Sequence, residues 1–418
     1  MSAATSTDPR LTARRAVEAL RSGVPSRDAV AALGSGQGEI EDRVAALLDT
    51  AGTVRSGHRG LLLGGGFGSG KSHALEHLAH LALERGFVVS RVVISKETPL
   101  HDPVKVLRSA VESALTPDGA IGAVAEAAAS LDPGSPAFTE LLRWAMGGAA
   151  VDERFPLTLS LLPRIAASDE QFADAIVRFW SGDALGVAEL RRQAREAGEG
   201  RRALASVPVR ELAAQRFRFL ARLFVAAGFQ GWLVLFDEVE LIGRYTLLQR
   251  AKSYAELANW LLPDADDPAS PLVTVAAMTD DFDAAVLTER DDRRLIPEKL
   301  RAKQTLQWDA IGARAETGMR LIERDMLLLR QPDDAELGDA YQRLKALHGQ
   351  AFGWDAPDVA GLERLGATRM RQYVRAWINE WDLVRLDPYF TPQTEVATLA
   401  TNYAEDVDVD VDVDRGSD

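Results

Sequence analysis

Residues 61–87 read LLLGGGFGSGKSHALEHLAHLALERGF, a segment whose pattern indicates the architecture around it. An apolar run at 60–64 enters three consecutive glycines, and an apolar-periodic segment at 70–85 follows and ends at Gly86. Next comes FVVSRVVIS, residues 87–95, a run rich in β-branched residues that is typical of a strand. A strand, a helix and a second strand in this order predict a βαβ unit, and therefore a parallel sheet.

The glycine-rich segment matches the pattern G-x-x-x-x-G-K-[ST]. Such a loop wraps a polyphosphate with backbone N–H groups, and the helix that follows directs its positive end at the anion. Lys71 is then expected to reach the β- and γ-phosphates, and the Ser72 hydroxyl to bind Mg²⁺. The alternative is a glycine-rich turn with a chance lysine, but the flanking strand and helix favour a P-loop. The predicted nucleotide-binding residues are Gly65, Gly66, Phe67, Gly68, Ser69, Gly70, Lys71, Ser72 and His73.

A second apolar run, LVLFDEVE at 233–240, ends in acidic residues. A phosphate loop needs a carboxylate at the end of a neighbouring strand for its metal, and Asp237 is in that position. Glu238 follows directly and is predicted to polarise the attacking water, with Glu240 as a weaker competitor. The alternative is that these acids only cap the strand. Together with Lys71, Asp237 and Glu238 form the predicted catalytic set.

Further candidates for the site lie downstream. The run PLVTVAAMTDDF, residues 271–282, predicts a buried strand. Thr279 at its end is expected between the strand before the glycine loop and the strand that ends at Asp237, where it could sense the γ-phosphate. Ordinary strand capping is the alternative. Arg369 begins a later helical pattern and is a candidate lid arginine, which would reach back to the nucleotide. The alternative is that it lies on an ordinary surface helix. Arg290, Arg293 and Arg294 lie where ring-forming ATPases place an arginine that completes a neighbour's site. A solvated, charged helix end is the preferred interpretation of these three residues.

The rest of the chain is mainly helical in pattern. Helical periodicity fills 103–230, and after Leu300 it continues to about Asp387. LGSGQ at 33–37 is interpreted as a helix-terminating loop. The predicted fold is α/β, a P-loop NTPase with a parallel sheet, a large helical insertion and a C-terminal helical lid. The expected domains are a helical region at 1–52, an ATPase core at 53–302 with its insertion at 103–230, the lid at 303–390, and an acidic disordered tail at 391–418.

Composition narrows the class of protein. The 418 residues include no cysteine, which excludes disulfides, thiolate metal sites and cysteine nucleophiles. Of the net charge of -14, the last sixteen residues supply nearly half, so the body is only mildly acidic and strong non-specific attraction to nucleic acid is not expected. No segment is apolar over the length that a membrane span needs, and the N-terminus has no apolar signal region. We expect a cytoplasmic protein without membrane contact.

Two segments resemble the BREX (bacteriophage exclusion) ATP-binding family, BrxC and BrxD. The first extends from GGGFGSGKSHALEH to the end of ISKETPLHDPVKVLRSAVESAL, and the second, far downstream, is LVLFDEVELIGRYTLLQRAKSYAEL. The similarity extends over roughly 10–388, and the length is more similar to that of the shorter member, BrxD. The resemblance implies an AAA+-like ATPase that uses ATP and Mg²⁺ in a bacterial anti-phage system. It also implies partners, namely a methyltransferase, a phosphatase-like protein and a helicase.

Three functions are compatible with these sequence features. The chain could hydrolyse ATP as a motor or loader for DNA-processing partners, act as a slow nucleotide-controlled signalling switch, or only bind through a decayed site. Intact Lys71, Ser72, Asp237 and Glu238 oppose the third. Too few residues follow the predicted lid to form a winged-helix DNA reader, so DNA contact is expected to be indirect. A homo-oligomer is expected, as in ring-forming ATPases.

Overall fold

A five-stranded parallel sheet forms the centre of the chain. The structure is a computed structural model that describes residues 8–22, 26–54, 57–148, 150–199, 204–359, 370–387 and 389–390. Its strands are β1 (Gly60–Gly64), β2 (Val88–Val93), β3 (Trp232–Asp237), β4 (Leu272–Met278) and β5 (Met326–Leu328). They are arranged in the order β2-β3-β4-β1-β5, and every neighbouring pair is parallel.

The four longer strands confirm the strand predictions: β1, β3 and β4 are short apolar runs, and β2 is rich in β-branched valines. All residues of β3 and β4 are buried, as expected for central strands covered by helices on both faces. The helical prediction after Leu300 is wrong at Met326–Leu328, which forms β5 against β1. Three residues are too few to show an alternating pattern, so only the pairing with β1 defines this strand.

Helices cover both faces of the sheet. Leu63, Leu235 and Val275 pack on one side against α3 and α4, whereas Leu62, Phe236 and Ala276 pack on the other side in the larger core, because neighbouring residues of a strand point to opposite faces. The helices up to β3 are α1 (Pro9–Ser22), α2 (Arg27–Leu33), α3 (Gly38–Asp49), α4 (Lys71–Glu84), α5 (Pro103–Glu112), α6 (Ala123–Ala129), α7 (Pro136–Met146), α8 (Arg154–Ile165), α9 (Glu170–Ser181), α10 (Val187–Glu196) and α11 (Val209–Ala226).

The insertion between β2 and β3 is helical, as its sequence pattern predicts. Helices α5 to α11 fill it, and their apolar residues join the larger core. After β3 come a 3₁₀ turn (Val239–Arg244), α12 (Leu247–Leu261), a π-helical turn (Asp283–Thr288), α13 (Asp292–Arg301), α14 (Leu306–Arg324), α15 (Asp334–Phe352) and α16 (Met370–Leu386).

The first two and the last two described helices share one hydrophobic cluster. Val17 of α1 and Ala29 of α2 pack with Leu344 of α15 and Trp377 of α16. Helix α14, in contrast, packs against α12 in the larger core, and a Cβ on Gly318 would overlap the carbonyl oxygen of Tyr254. The domain boundaries expected from the sequence stay a prediction, but packing joins the first two helices to the last two.

None of the described helices is both long and apolar enough to cross a membrane. The acidic tail at 391–418 and Arg369 lie outside the described residues.

Candidate functional site

The glycine-rich loop connects β1 directly to α4. Gly68 and Gly70 have φ values of 80° and 102°, in the left-handed region that favours glycine. Gly70 is the N-cap of α4 and provides no side-chain hydrogen bond to the helix. The first N–H groups of α4 are therefore not satisfied by a cap, and together with the positive end of the helix they form an anion-binding position.

Close packing fixes the glycines that begin the loop. A Cβ on Gly64 would overlap the Met326 side chain of β5, and a Cβ on Gly65 would overlap the hydroxyl of Ser69. That hydroxyl is buried and has no hydrogen-bond partner among the described residues. The loop thus carries a polar atom that a bound ligand could satisfy. Phe67 lies at the loop's surface, with 45% of its area exposed.

The ammonium group of Lys71 lies inside the loop. Its Nζ donates hydrogen bonds to the carbonyl oxygens of Gly65 at 2.7 Å and Gly66 at 3.3 Å, and the residue is only 9% exposed. Nζ is also 3.8 Å from Oε1 of Glu240. Ser72 follows in the first turn of α4 and is partly buried. The structure therefore brings the lysine of the loop to the acidic segment after β3.

The acidic residues after β3 differ in their surroundings. Asp237 is 3% exposed, and its Oδ1 accepts the backbone N–H of Glu238 at 3.0 Å, while its Oδ2 accepts from Arg91 at 2.6 Å. Glu238 has a left-handed φ of 57° and an exposed side chain. Glu240 is buried beside Lys71, and within the described part of the chain its Oε2 has no hydrogen-bond partner.

Burial raises the pKa of Glu240 above its ordinary value, while the nearby Lys71 acts in the opposite direction. The sequence ranks Glu238 above Glu240 as a base, because Glu238 follows Asp237 directly. The structure places Glu240, not Glu238, next to the loop lysine. The role of Glu238 as the base stays a prediction.

Thr279 lies at the carboxyl end of β4, next to the glycine loop. Strand β4 lies between β1 and β3, so the order of the strands agrees with the position expected for this residue. Thr279 is 1% exposed, and the preceding Met278 accepts the N–H of Gly65 at 3.2 Å. Its role as a phosphate sensor stays a prediction.

A cavity of about 380 Å³ opens beside the glycine loop. Ser69, Gly70 and His73 form one wall, the loop at 34–37 forms a second, and residues of α15 and α16 form a third. Nε2 of His73 is 2.7 Å from the carbonyl oxygen of Gly34. Burial lowers the pKa of His73, although this hydrogen bond opposes the shift. The cavity therefore lies between the glycine loop and the cluster formed by α1, α2, α15 and α16.

Most residues that line this cavity were not predicted from the sequence. Residues 33–37 do end α2, since Gly34 is its C-cap with a φ of 72°, but they also line the cavity. The sequence carries no signal for this, because the contact depends on α2 lying against α4. Three arginines contribute to the lining, namely Arg330, Arg343 and Arg371. Arg371 lies two residues after the predicted lid arginine.

The arginines near α13 have protein partners. Arg293 pairs with Asp283 and Glu323, and Arg294 pairs with Asp291 and Glu298. Arg290 donates to the carbonyl oxygen of Gly243. These contacts agree with the preferred interpretation of this segment as a charged helix end.

The chain is an α/β protein with a parallel sheet. Its glycine loop lies at a helix N-terminus and faces buried carboxylates. This arrangement is consistent with a P-loop-like fold. Residues 9–127 match the model of a family described as BREX system ATP-binding protein BrxC/D. The match covers less than a third of the chain and extends from α1 into α6, so it includes β1, the glycine loop and β2. Over these residues the chain is similar to that family. Neither a search of curated proteins nor one of solved structures found a match.

Proposed function

We propose that this chain binds ATP between the glycine loop and the acidic segment after β3. The observation that carries the proposal is the convergence of Lys71, buried in a loop with uncapped helix N–H groups, with the buried carboxylates of Asp237 and Glu240. Such a pair of elements holds a polyphosphate on one side and its metal on the other. The roles assigned to Gly65 through His73 rest on the loop's motif and on this geometry.

Magnesium is the metal that this set of oxygens fits. A serine hydroxyl at the start of α4 and a carboxylate at the end of β3 are hard oxygen ligands, which Mg²⁺ prefers. Ser72 and Asp237 would hold it. Bound there, Mg²⁺ would neutralise charge on the phosphate oxygens.

The cavity beside the loop is the proposed position of the nucleoside. It begins at Ser69 and Gly70, so a ligand whose phosphates lie on α4 would extend into it. Its volume of about 380 Å³ lies within the usual range for small-molecule sites. Arg371 is a candidate for the lid arginine that the sequence assigned to Arg369.

Hydrolysis is the second part of the proposal. We assign Glu238 as the base that orients water, with Glu240 as the competing candidate, because both follow Asp237 within the 3₁₀ turn and its cap. The chain would then act as an AAA+-like ATPase of a BREX system, on its BrxD branch and as a homo-oligomer in the cytoplasm. Its partners would be the system's methyltransferase, phosphatase-like protein and helicase, with DNA contacted through them.

A slow signalling switch is the alternative. It is favoured by the contact between the cavity and the helices of both chain ends, since a ligand there would link α4 to α2, α15 and α16. A turnover rate that rises with DNA or the helicase partner would support the motor. A turnover rate that is unaffected by DNA and by the helicase partner would support the switch.

The test compares three variants by calorimetric ATP binding and by phosphate release. Lys71→Met should lose ATP binding, because it removes the cation of the loop. Glu238→Gln should keep ATP affinity and lose turnover by about 100-fold or more, the usual contribution of a general base. Glu240→Gln is the matched comparison, with the same change two residues away.

If Glu240→Gln abolishes turnover while Glu238→Gln does not, the base is Glu240. Wild-type chain that takes up no adenine nucleotide would refute the proposed function as a whole.

A further inference from the structure

Arg91 of β2 lies between two acidic residues of the candidate site. One of its terminal nitrogens is 2.6 Å from Oδ2 of Asp237, and the other is 3.5 Å from Oε2 of Glu76 on α4. Residues 89, 91 and 93 of β2 face α4, as do 233, 235 and 237 of β3, because alternate residues of a strand share a face. The pairing of β2 with β3 therefore places this guanidinium beside Asp237.

The contact occupies the carboxylate that the metal would need. Both oxygens of Asp237 already accept protein hydrogen bonds, one from Arg91 and one from the N–H of Glu238. The side chain of Asp237 is 5% exposed, so water screens the ion pair weakly. A divalent cation beside Asp237 would be repelled by a guanidinium held on the same carboxylate.

Glu76 offers Arg91 a second acceptor. Its side chain is 19% exposed and belongs to the helix that begins at Lys71. It also lies 3.4 Å from Nε2 of His80. A small rotation of the Arg91 side chain would exchange Asp237 for Glu76 without moving either strand, since both carboxylates are already within 3.5 Å.

We propose that Arg91 is a positioning residue that competes with Mg²⁺ for Asp237. With Arg91 on Asp237 the site disfavours the metal, and when Mg²⁺ and nucleotide bind together the guanidinium moves to Glu76. Metal occupancy is thereby linked to helix α4. This inference rests on the proposed function, because it concerns the metal site of the same nucleotide.

The experiment measures how strongly the metal strengthens nucleotide binding. Calorimetry gives the dissociation constant of ADP with Mg²⁺ and with EDTA, and their ratio is the metal dependence. Arg91→Met should raise this ratio roughly ten-fold, the effect of removing one adjacent opposite charge from a carboxylate. Glu76→Gln should lower it, because Arg91 then has only Asp237 as a strong acceptor. Arg91→Lys, which keeps the charge, should stay near wild type.

Changes of opposite sign in the metal dependence of Arg91→Met and Glu76→Gln distinguish this role from a structural one. A general loosening of the site would change both ratios in the same direction. Arg43→Met is the control, because Arg43 is an exposed arginine of α3 that pairs only with Glu39 among the described residues. Thermal unfolding shows whether each variant is folded. An unchanged or lower metal dependence in folded Arg91→Met refutes the inference while leaving nucleotide binding intact. Wild-type chain that does not bind ADP refutes the proposed function, and the inference with it.

Discussion

A buried ion pair holds together the two segments that follow β3 and β4. Arg250 of α12 donates to both oxygens of Asp292 at the start of α13, each at 2.7 Å, and the Tyr254 hydroxyl donates to the same carboxylate at 2.8 Å. Arg250 is 3% exposed and Asp292 is 0% exposed. Burial, and then the Asp292 carboxylate, raises the pKa of Tyr254 well above its ordinary value, so its hydroxyl remains a donor.

Asp292→Ala should therefore be strongly destabilising. It leaves the Arg250 charge buried without its carboxylate, and breaking a buried pair in this way costs about 3–5 kcal/mol. That is a large part of the roughly 5–15 kcal/mol by which folded domains are stable. Arg250→Met combined with Asp292→Ala should cost less than Asp292→Ala alone, because no charge then remains buried.

The assay is urea unfolding followed by tryptophan fluorescence, with the free energy of unfolding taken from the midpoint and slope. Arg294→Ala serves as the control, since it removes an exposed arginine of α13 that pairs on the surface, and its midpoint should not move measurably. If Asp292→Ala lowers the free energy of unfolding by less than about 1 kcal/mol, or if the two substitutions have additive effects in the double variant, the buried charge of Arg250 is not the source of the destabilisation.

Three further predictions concern packing, pH and the cavity. Gly318→Ala should destabilise the chain by about 1–3 kcal/mol in the same urea assay, because its Cβ would push α14 away from Tyr254 of α12; unchanged stability would contradict this close contact. Burial, with a smaller effect of Arg210, lowers the pKa of His101 from 6.5 to about 4. The unfolded chain therefore takes up this proton first, and stability that is complete above pH 6.5 falls by at most about 3 kcal/mol as the pH drops to about 4. His101→Gln should flatten that part of the pH profile, and an equally steep profile would exclude His101 as its source. Arg371→Met should weaken ATP binding about ten-fold or more by calorimetry, in keeping with hydrogen bonds to a charged group, whereas unchanged affinity would remove Arg371 from the nucleotide site.

Short-range patterns in the sequence were sufficient for the central elements. The glycine loop and the helix after it are continuous in the chain, so backbone freedom and helix polarity could be inferred from neighbouring residues. The four longer strands are apolar runs, and the parallel sheet followed from the βαβ order. Asp237 and Thr279 were identified in the same way, as polar residues that end buried strands.

Other features depend on residues that are far apart in the chain. Glu240 contacts Lys71, and Arg91 contacts Asp237, only because the strand order brings these segments to one edge of the sheet. Strand β5 exists only through its pairing with β1. The cavity forms because α2, α15 and α16 meet beside the loop. Local patterns determined which residues form the glycine loop and the longer strands, whereas long-range packing decided which side chains contact them, because no periodicity records a partner a hundred residues away.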